Sequence, residues 1–385
     1  MQNRPSSLLV TGASGLVGSL IVAVLLQREA GQIVVPLRQK HNPDTFRAAI
    51  SEELEALGCV PSKAMLGRLV VLPLPNEEER LVAELTPMLR SYRVEEIIHS
   101  AGCLSYANAQ KLFAGNQRLT SQFLELGRAL DIRRFVYIST AYSCGFVEGP
   151  ILEQLHAEPA SDPNDYTPSK RATEHIVAKS GFPYLIVRPS IVIGNSENGR
   201  YTGKPYGIYQ LWNGLCRLLC DEYRSLLYAV APRVPANLVH SDAMQAGFYA
   251  AFKKLPDNSI IHLVSRDDLA PTAEDVWQGW MESCGHPSEV RYYSNLLALP
   301  WDELDEPQRL LFDLATPNIG ISVRHWQFQH EHLDGLREEG LVFRDVTVES
   351  TRTCLNRFLA GNAKALSFIQ RTRDLAVTPR VTRIA

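Results

Sequence analysis

The sequence predicts an α/β fold: a doubly wound parallel sheet, followed by a smaller, mostly helical C-terminal region. Three observations carry this expectation. Short β-branched runs alternate with helix-like stretches through the first 190 residues. A glycine-rich turn, TGASGLVG, joins the first of these runs to the first helical stretch. After Gly194 the rhythm breaks into a segment carrying Gly, Pro, Tyr and Trp.

Taken in order, SSLLVTG reads as a strand, GLVGSLIVAVLLQREA as an apolar-rich helix and QIVVPLR as a second strand. Residues 43–58 have amphipathic helical spacing, and GRLVVLPL is a third strand. VEEIIHSAG, RRFVYIST and FPYLIVRPS read as further strands, with helices at 107–130 and 166–180 between them. Apolar strands alternating with helices are what a parallel sheet covered on both faces requires. Residues 195–235 hold one apolar helix, GIYQLWNGLCRLLC, and NLVHSDAMQAGFYAAF resembles a return to the first domain. Residues 270–360 read as mostly helical, with WDELDEPQRLLFDL and VESTRTCLNRFL the clearest cases. The expected division is therefore 1–194 with about 236–265, against 195–235 and 266–385.

Composition excludes several classes. A 45% hydrophobic and 21% charged chain of 385 residues is ordinary for a globular protein with a substantial core. A formal net charge of -3 gives no general reason to expect nucleic-acid binding. Seven cysteines with no CxxC pair read as reduced thiols. Cys216 and Cys220 share a helix face, where packing is favoured over a metal or redox role. No signal-peptide pattern precedes the first strand, and no apolar run reaches the roughly 18 residues of a transmembrane segment. A cytoplasmic protein is expected, with peripheral membrane contact left open. Nothing in the sequence sets an oligomeric state.

Gly12, Gly15 and Gly18 stand at a strand-to-helix junction. The first permits a tight turn, the second lets backbone N–H groups approach a pyrophosphate, and the third lets helix and strand pack closely. The pyrophosphate would rest on the positive end of the helix. This is the dinucleotide-binding arrangement of a Rossmann fold. No GxxxxGK[ST] is present, which argues against a nucleotide triphosphatase. The second strand ends LRQKH without the acidic residue that binds NAD ribose. Arg38, helped by Lys40, suits the extra phosphate of NADP, so NADPH (NADP+) is the expected cofactor.

Tyr166 and Lys170 lie four residues apart, on one helix face. An ammonium beside a phenol favours its ionised form, and a phenol so poised can exchange a proton near neutral pH. Pro168, between them, is tolerable in a first helical turn capped by Asp165 or Asn164. Upstream, YISTAYSCG puts Ser139 and Thr140 at the carboxyl end of a strand, where such sheets place ligands. Strand alternation sends one of the two hydroxyls away from a site.

These segments resemble the extended short-chain dehydrogenase/reductase superfamily over residues 7 to about 250. TGASGLVG looks like its cofactor loop, which the resemblance extends to Ser14, Leu16 and Val17. IIHSAG is similar to the fourth-strand motif beside adenosine, bringing in Ser100 and Ala101. RPSIVIG resembles the strand end that packs by the nicotinamide, bringing in Pro189 and Ile191, and NLVHSDAMQAG resembles the later VHxDD segment. Asn116 falls on the superfamily's structural and relay asparagine, Thr140 on its catalytic Ser/Thr, and Tyr166 and Lys170 on its YxxxK pair. HSAGCLSYANAQKLFAGN, YISTAYSCG and the excursion at 41–67 look most like the fatty acyl-CoA reductase and thioester reductase branch. That resemblance implies NADPH-dependent reduction of a carrier-bound acyl thioester to an aldehyde, sometimes onward to an alcohol. It makes 195–235 and 266–385 the substrate-binding region. The carrier would be coenzyme A or a separate carrier protein, since no phosphopantetheine attachment motif is present. VVLPLPNEEER and NQRLT depart from the branch's Gly-Asp pair and N-V-x-G-T.

Other patterns carry less. His325, His330 and His332 in RHWQFQHEH could suggest a metal, but no orienting partners accompany them, and no metal is expected. Trp212, Tyr206 and Leu211 could line an acyl pocket or simply pack. The basic stretch IQRTRDLAVTPRVTRIA reads as a frayed tail or as a contact to an anionic carrier. Two rival functions remain: an epimerase, dehydratase or hydroxysteroid-type dehydrogenase of the same fold, and a non-catalytic NADP-binding redox sensor.

Overall fold

The computed structural model describes residues 6–104, 108–284, 287–372 and 380–384. In chain order the strands are β1 (Ser7–Thr11), β2 (Ile33–Arg38), β3 (Leu69–Leu74), β4 (Val94–His99), β5 (Arg134–Ile138), β6 (Tyr184–Pro189), β7 (Ile191–Ile193), β8 (Leu226–Val230), β9 (Leu238–His240), β10 (Ser259–Leu263), β11 (Glu289–Tyr293) and β12 (Arg380–Ile384). The chain divides into two compact units. One comprises Met1–Ser190, Met244–Leu263 and Phe328–Phe343, and the other Ile191–Ala243, Val264–Gln327 and Arg344–Ala385.

In the first unit seven parallel strands lie side by side in the order β10-β6-β5-β4-β1-β2-β3. This is the Rossmann topology with one strand added at the β6 edge. The winding reverses between β1 and β4, the position where such sheets bind ligands. Those two strands are in register from Leu8↔Glu96 to Thr11↔His99, so Thr11 and His99 end side by side at the carboxyl edge. Consecutive residues such as Leu9 and Val10, Ile97 and Ile98, and Val136 and Tyr137 are all buried. Helices therefore cover both faces, which explains why these strands read as continuous apolar runs. The helix Leu16–Arg28 is buried from Leu20 through Leu26, apolar around its whole circumference.

The stretch expected to be helical at 107–130 is not uniform. After the turn Ala109–Leu112, residues Phe113–Arg118 form a π-helical turn before the helix Leu119–Leu130 resumes. The wider turn carries Asn116, which is buried. Residues 105–107, part of the segment resembling the reductase branch, lie outside the described residues.

The second unit contains more sheet than its sequence suggested. β12, β11 and β8 form a parallel sheet, and β7 pairs with β9. All five strands are short, and β11 and β12 carry charged residues, so no period-2 apolar pattern marks those two. β12 corrects the reading of a frayed terminus: Arg380–Ile384 runs in register with Glu289–Tyr293, and Arg383 Nη2 donates to Glu274 Oε1 at 2.5 Å. Residues 373–379 of that basic stretch lie outside the described residues. Trp212 is fully buried in this unit's core, edge-on to Tyr209, with Leu211 partly buried against the same cluster. Tyr206 is exposed. Cys216 and Cys220 are buried free thiols in that core.

The first boundary falls after Ser190 rather than Gly194, 236–243 belongs to the second unit, and 328–343 belongs to the first. The last assignment has a clear cause. Phe328 pairs with Ile151, Gln329 N–H donates to the Ile151 carbonyl, and Glu153 accepts from both His332 N–H and Nδ1. No described helix is long and apolar enough to cross a membrane.

Candidate active site

The first unit's site begins at the β1–helix junction. Gly12 has a φ of 69°, and a Cβ there would lie 2.4 Å from the Ala101 nitrogen, so only glycine fits between β1 and the end of β4. A Cβ at Gly18 would lie 2.3 Å from the Gly12 carbonyl oxygen, which fixes how closely helix and turn approach. Gly15 precedes the helix without any side-chain cap, leaving the leading N–H groups for an anion. Ser14 and Gly15 are exposed, and Leu16 and Val17 half-buried. The residues present thus suit a dinucleotide pyrophosphate.

Arg38 ends β2 and is exposed, as is Lys40. His41, which the sequence did not single out, places Nε2 3.3 Å from Ser14 Oγ. Ser100 and Ala101 are half-buried just beyond β4, and the Ala101 N–H donates to Thr11 Oγ1.

Thr140 lies just past β5 in extended conformation. Its hydroxyl oxygen accepts the Tyr142 N–H at 3.4 Å, leaving the hydroxyl proton for another acceptor. Ser139 and Ser143 instead face the Glu174 carboxylate. Tyr166 opens the helix Tyr166–Ala178 and is half-buried. Of the two capping candidates, Asn164 does the work: its Oδ1 accepts from Tyr166 N–H at 3.0 Å and Thr167 N–H at 3.3 Å. Asp165 makes no side-chain cap bond. Pro168 falls in the first turn, where its missing N–H costs nothing.

Lys170 is buried, with Nζ donating to the Ile138 carbonyl at 2.7 Å and lying 4.2 Å from the Tyr137 ring centroid. Burial pulls its pKa down to about 7, against the opposing pull of Glu174. Near neutrality its ammonium is therefore only partly charged without added anionic partners, which qualifies the full positive charge expected beside the phenol. Asn116 accepts the Cys103 N–H on Oδ1 at 2.8 Å and donates from Nδ2 to Ser169 Oγ at 2.8 Å. Ser169 in turn donates to the Tyr166 carbonyl at 2.9 Å.

Behind the helix lies a pair absent from the sequence reading. Glu174 and Arg188 are both fully buried and meet bidentately, Nη2–Oε2 at 2.6 Å and Nε–Oε1 at 2.9 Å. Burial pushes the Glu174 carboxyl up, but the adjacent guanidinium outweighs it and holds the pKa below its ordinary value. Arg188 Nη1 also meets His156 Nε2 at 3.0 Å and His262 Nε2 at 3.3 Å. Burial and that guanidinium lower His156 to about 4 and hold His262 well below its ordinary value. The only sequence trace of Glu174 is its spacing, four residues after Lys170 on the same helical face.

Gly12, Ser14, Gly15, Leu16, Val17, Gly18, Arg38, Lys40, Ser100, Ala101, Asn116, Thr140, Tyr166, Lys170 and Pro189 all belong to the first unit, whereas Ile191 belongs to the second. His332 is engaged by Glu153, and His325 Nε2 lies 2.7 Å from Asp267 Oδ2. Among the described residues no three His, Cys, Asp or Glu side chains are placed to hold a metal ion.

The family model for male sterility proteins, an NAD-binding family, matches residues 10–242. CG8303 of Drosophila melanogaster, named as a fatty acyl-CoA reductase, is 26% identical over 311 residues, covering 67% of this chain and 55% of that protein. The chain therefore spans about half the length of this relative. Among solved structures, the terminal R domain of the myxalamid PKS-NRPS pathway superposes with a TM-score of 0.72 at 20% identity, covering 95% of this chain and 93% of that one. UDP-glucuronic acid 4-epimerase from Bacillus cereus gives 0.61 at 17% identity, covering 91% and 98%. At these identities the structural likeness shows the fold.

Proposed function

We propose that this chain, which belongs to the male sterility protein family of NAD-binding domains, is an NADPH-dependent reductase of an acyl thioester carried by coenzyme A or a separate carrier protein. One observation carries the reading. Tyr166 and Lys170 open a helix whose lysine is anchored on the Ile138 carbonyl, two residues before Thr140. The Lys170 ammonium and Thr140 thus stand near the carboxyl end of β5, with the Tyr166 phenol turned toward them on this reading.

The glycine turn and the uncapped helix start hold the pyrophosphate, and Arg38 with Lys40 meets the 2′-phosphate. The bound dinucleotide supplies the hydride. Thr140 donates a hydrogen bond to the thioester carbonyl oxygen, where negative charge develops. Tyr166 delivers the proton to that oxygen. Lys170 holds the ribose hydroxyls and favours the phenolate form of Tyr166 after transfer. Asn116, through Ser169, steadies the backbone at Tyr166. The resulting hemithioacetal collapses to aldehyde and thiol, and a second round would give the alcohol.

The name of the Drosophila relative and the R-domain likeness favour a thioester substrate over a sugar nucleotide. Incubation with NADPH and a panel of acyl-coenzyme A and acyl-carrier-protein thioesters should consume NADPH and release aldehyde or alcohol. Absence of net NADPH oxidation with every thioester, together with interconversion of a nucleotide sugar, would replace this reading with the epimerase one.

A further inference from the structure

We propose that His99 is a positioning residue, the middle of one directed chain of hydrogen bonds that ties the dinucleotide-binding edge of β1 and β4 to Asn116 and the start of the Tyr166 helix. This rests on the reading of Tyr166 as the proton donor.

The direction of every bond follows from counting protons. Thr120 has a single hydroxyl proton, and it goes to the Asn116 backbone carbonyl. The contact of 3.0 Å between Thr120 Oγ1 and His99 Nε2 must then be made by a proton on Nε2. A neutral imidazole protonated at Nε2 has a bare Nδ1, which lies 2.8 Å from Thr11 Oγ1. The Thr11 hydroxyl therefore donates to it, while its oxygen accepts the Ala101 N–H at 3.2 Å. The series runs Ala101 N–H, Thr11, His99, Thr120, Asn116 without a break.

From Asn116 the side chain continues to Ser169 and the Tyr166 carbonyl. Both ends meet groups placed at the site: Ala101 packs against Gly12, and Tyr166 is the proton donor. A shift of β4 against β1 would be felt at the π-helical turn.

The imidazole is fully buried, its ring 5.1 Å from Phe123, 5.8 Å from Phe135 and 6.1 Å from Tyr137 between centroids. Burial, and secondarily the Lys170 charge, lowers its pKa to about 3, so the neutral form persists at working pH. Among the described residues the charged group that acts on it is Lys170, and Thr11, Thr120 and the three aromatic rings contact it. A proton shuttle is thereby disfavoured, and a fixed donor–acceptor link remains.

The test uses the full chain. His99→Leu and Thr120→Val should each lower kcat about tenfold or more, with thioester KM and NADPH Kd within about threefold, as loss of a geometry needed only in the transition state requires. His99→Gln and Thr120→Ser, which keep a donor and an acceptor, should recover most of the loss and remain informative if the apolar variants fail to fold. Combining His99→Leu with Asn116→Ala should lose no more than Asn116→Ala alone, because residues acting as one unit are not additive. Folded apolar variants retaining kcat within about twofold, or losses that multiply in the double variant, overturn the proposal. A second readout needs no substrate. Long-range 15N–1H correlation spectra should show His99 protonated at Nε2 only, without titration from about pH 5 to 8. Protonation at Nδ1 overturns the proposal even if the wild type reduces no thioester, an outcome that by itself counts only against the proposed substrate.

Discussion

Replacing Glu174 by Gln tests the buried ion pair that joins the helix Tyr166–Ala178 to β6. Both partners have no exposed side-chain surface and meet through two short bonds. Removing one charge from a buried pair leaves the other uncompensated, at about 3–5 kcal/mol. His156 and His262 meet the remaining nitrogen, Nη1, and the Gln154 carbonyl accepts from Nη2, which relieves part of that loss, so about 3 kcal/mol is expected. Against a typical total of about 5–15 kcal/mol, the variant should fold but unfold at clearly lower urea. Arg188→Met should cost a similar amount. The double variant Glu174→Met/Arg188→Met should cost less than the two singles added, because neither residue then leaves a stranded charge. The pair also has a pH signature. The folded Glu174 pKa lies below its ordinary value, so its contribution is full above the unfolded value and is lost as pH falls through the lower folded one. Urea titrations at pH 7 in which either single variant costs under about 1 kcal/mol, or in which the double loss equals the sum, would refute the reasoning.

Three further outcomes are expected. Tyr166→Phe should reduce turnover about 10²–10⁴-fold while NADPH binding, followed by fluorescence, is retained; undiminished reduction removes its assigned role. Arg38→Glu should shift the preference from NADPH toward NADH at least about tenfold in kcat/KM, whereas an unchanged ratio would place the 2′-phosphate elsewhere. Lys170 should add a rising contribution to the slope of stability against pH from about pH 7 toward pH 10, because its folded pKa of about 7 lies below its unfolded value and the unfolded chain binds the extra proton across that window; the buried Cys144, Cys216, Cys220 and Cys354 thiols, pushed up, contribute the opposite sign near its upper end. Lys170→Met should remove that rising contribution, making its slope less positive than the wild type's, and abolish most turnover; an identical slope in both proteins would mean the charge is not held as described.

The Rossmann half was legible because its signals are local. The buried strands are rich in β-branched and other apolar residues, and TGASGLVG marks the first turn through Gly12 and Gly18, where an added Cβ would collide with backbone. The second unit's sheet was not legible, since RVTRI and EVRYY gain their pairing only from residues far away in sequence. The site divided along the same line. Tyr166 and Lys170 announce themselves by spacing, and Asn164 by its capping chemistry. Glu174 and Arg188 are 14 residues apart and His99 and Thr120 are 21 apart, each pair joined only once strands and helices have packed. The π-helical turn was hidden for another reason: a widened turn keeps the apolar periodicity of the helices on either side, so FAGNQR carries no composition that marks it.

The backbone passes from one compact unit to the other at 190/191, 243/244, 263/264, 327/328 and 343/344. Neither unit is a contiguous stretch of polypeptide. A clone ending near residue 190 would omit β10 and the Phe328–Phe343 piece, baring the edge of β6 and leaving Glu153 without His332. Swapping acyl preference between relatives by one cut-and-paste junction should therefore yield insoluble protein, and specificity grafts call for several matched crossovers at these five points.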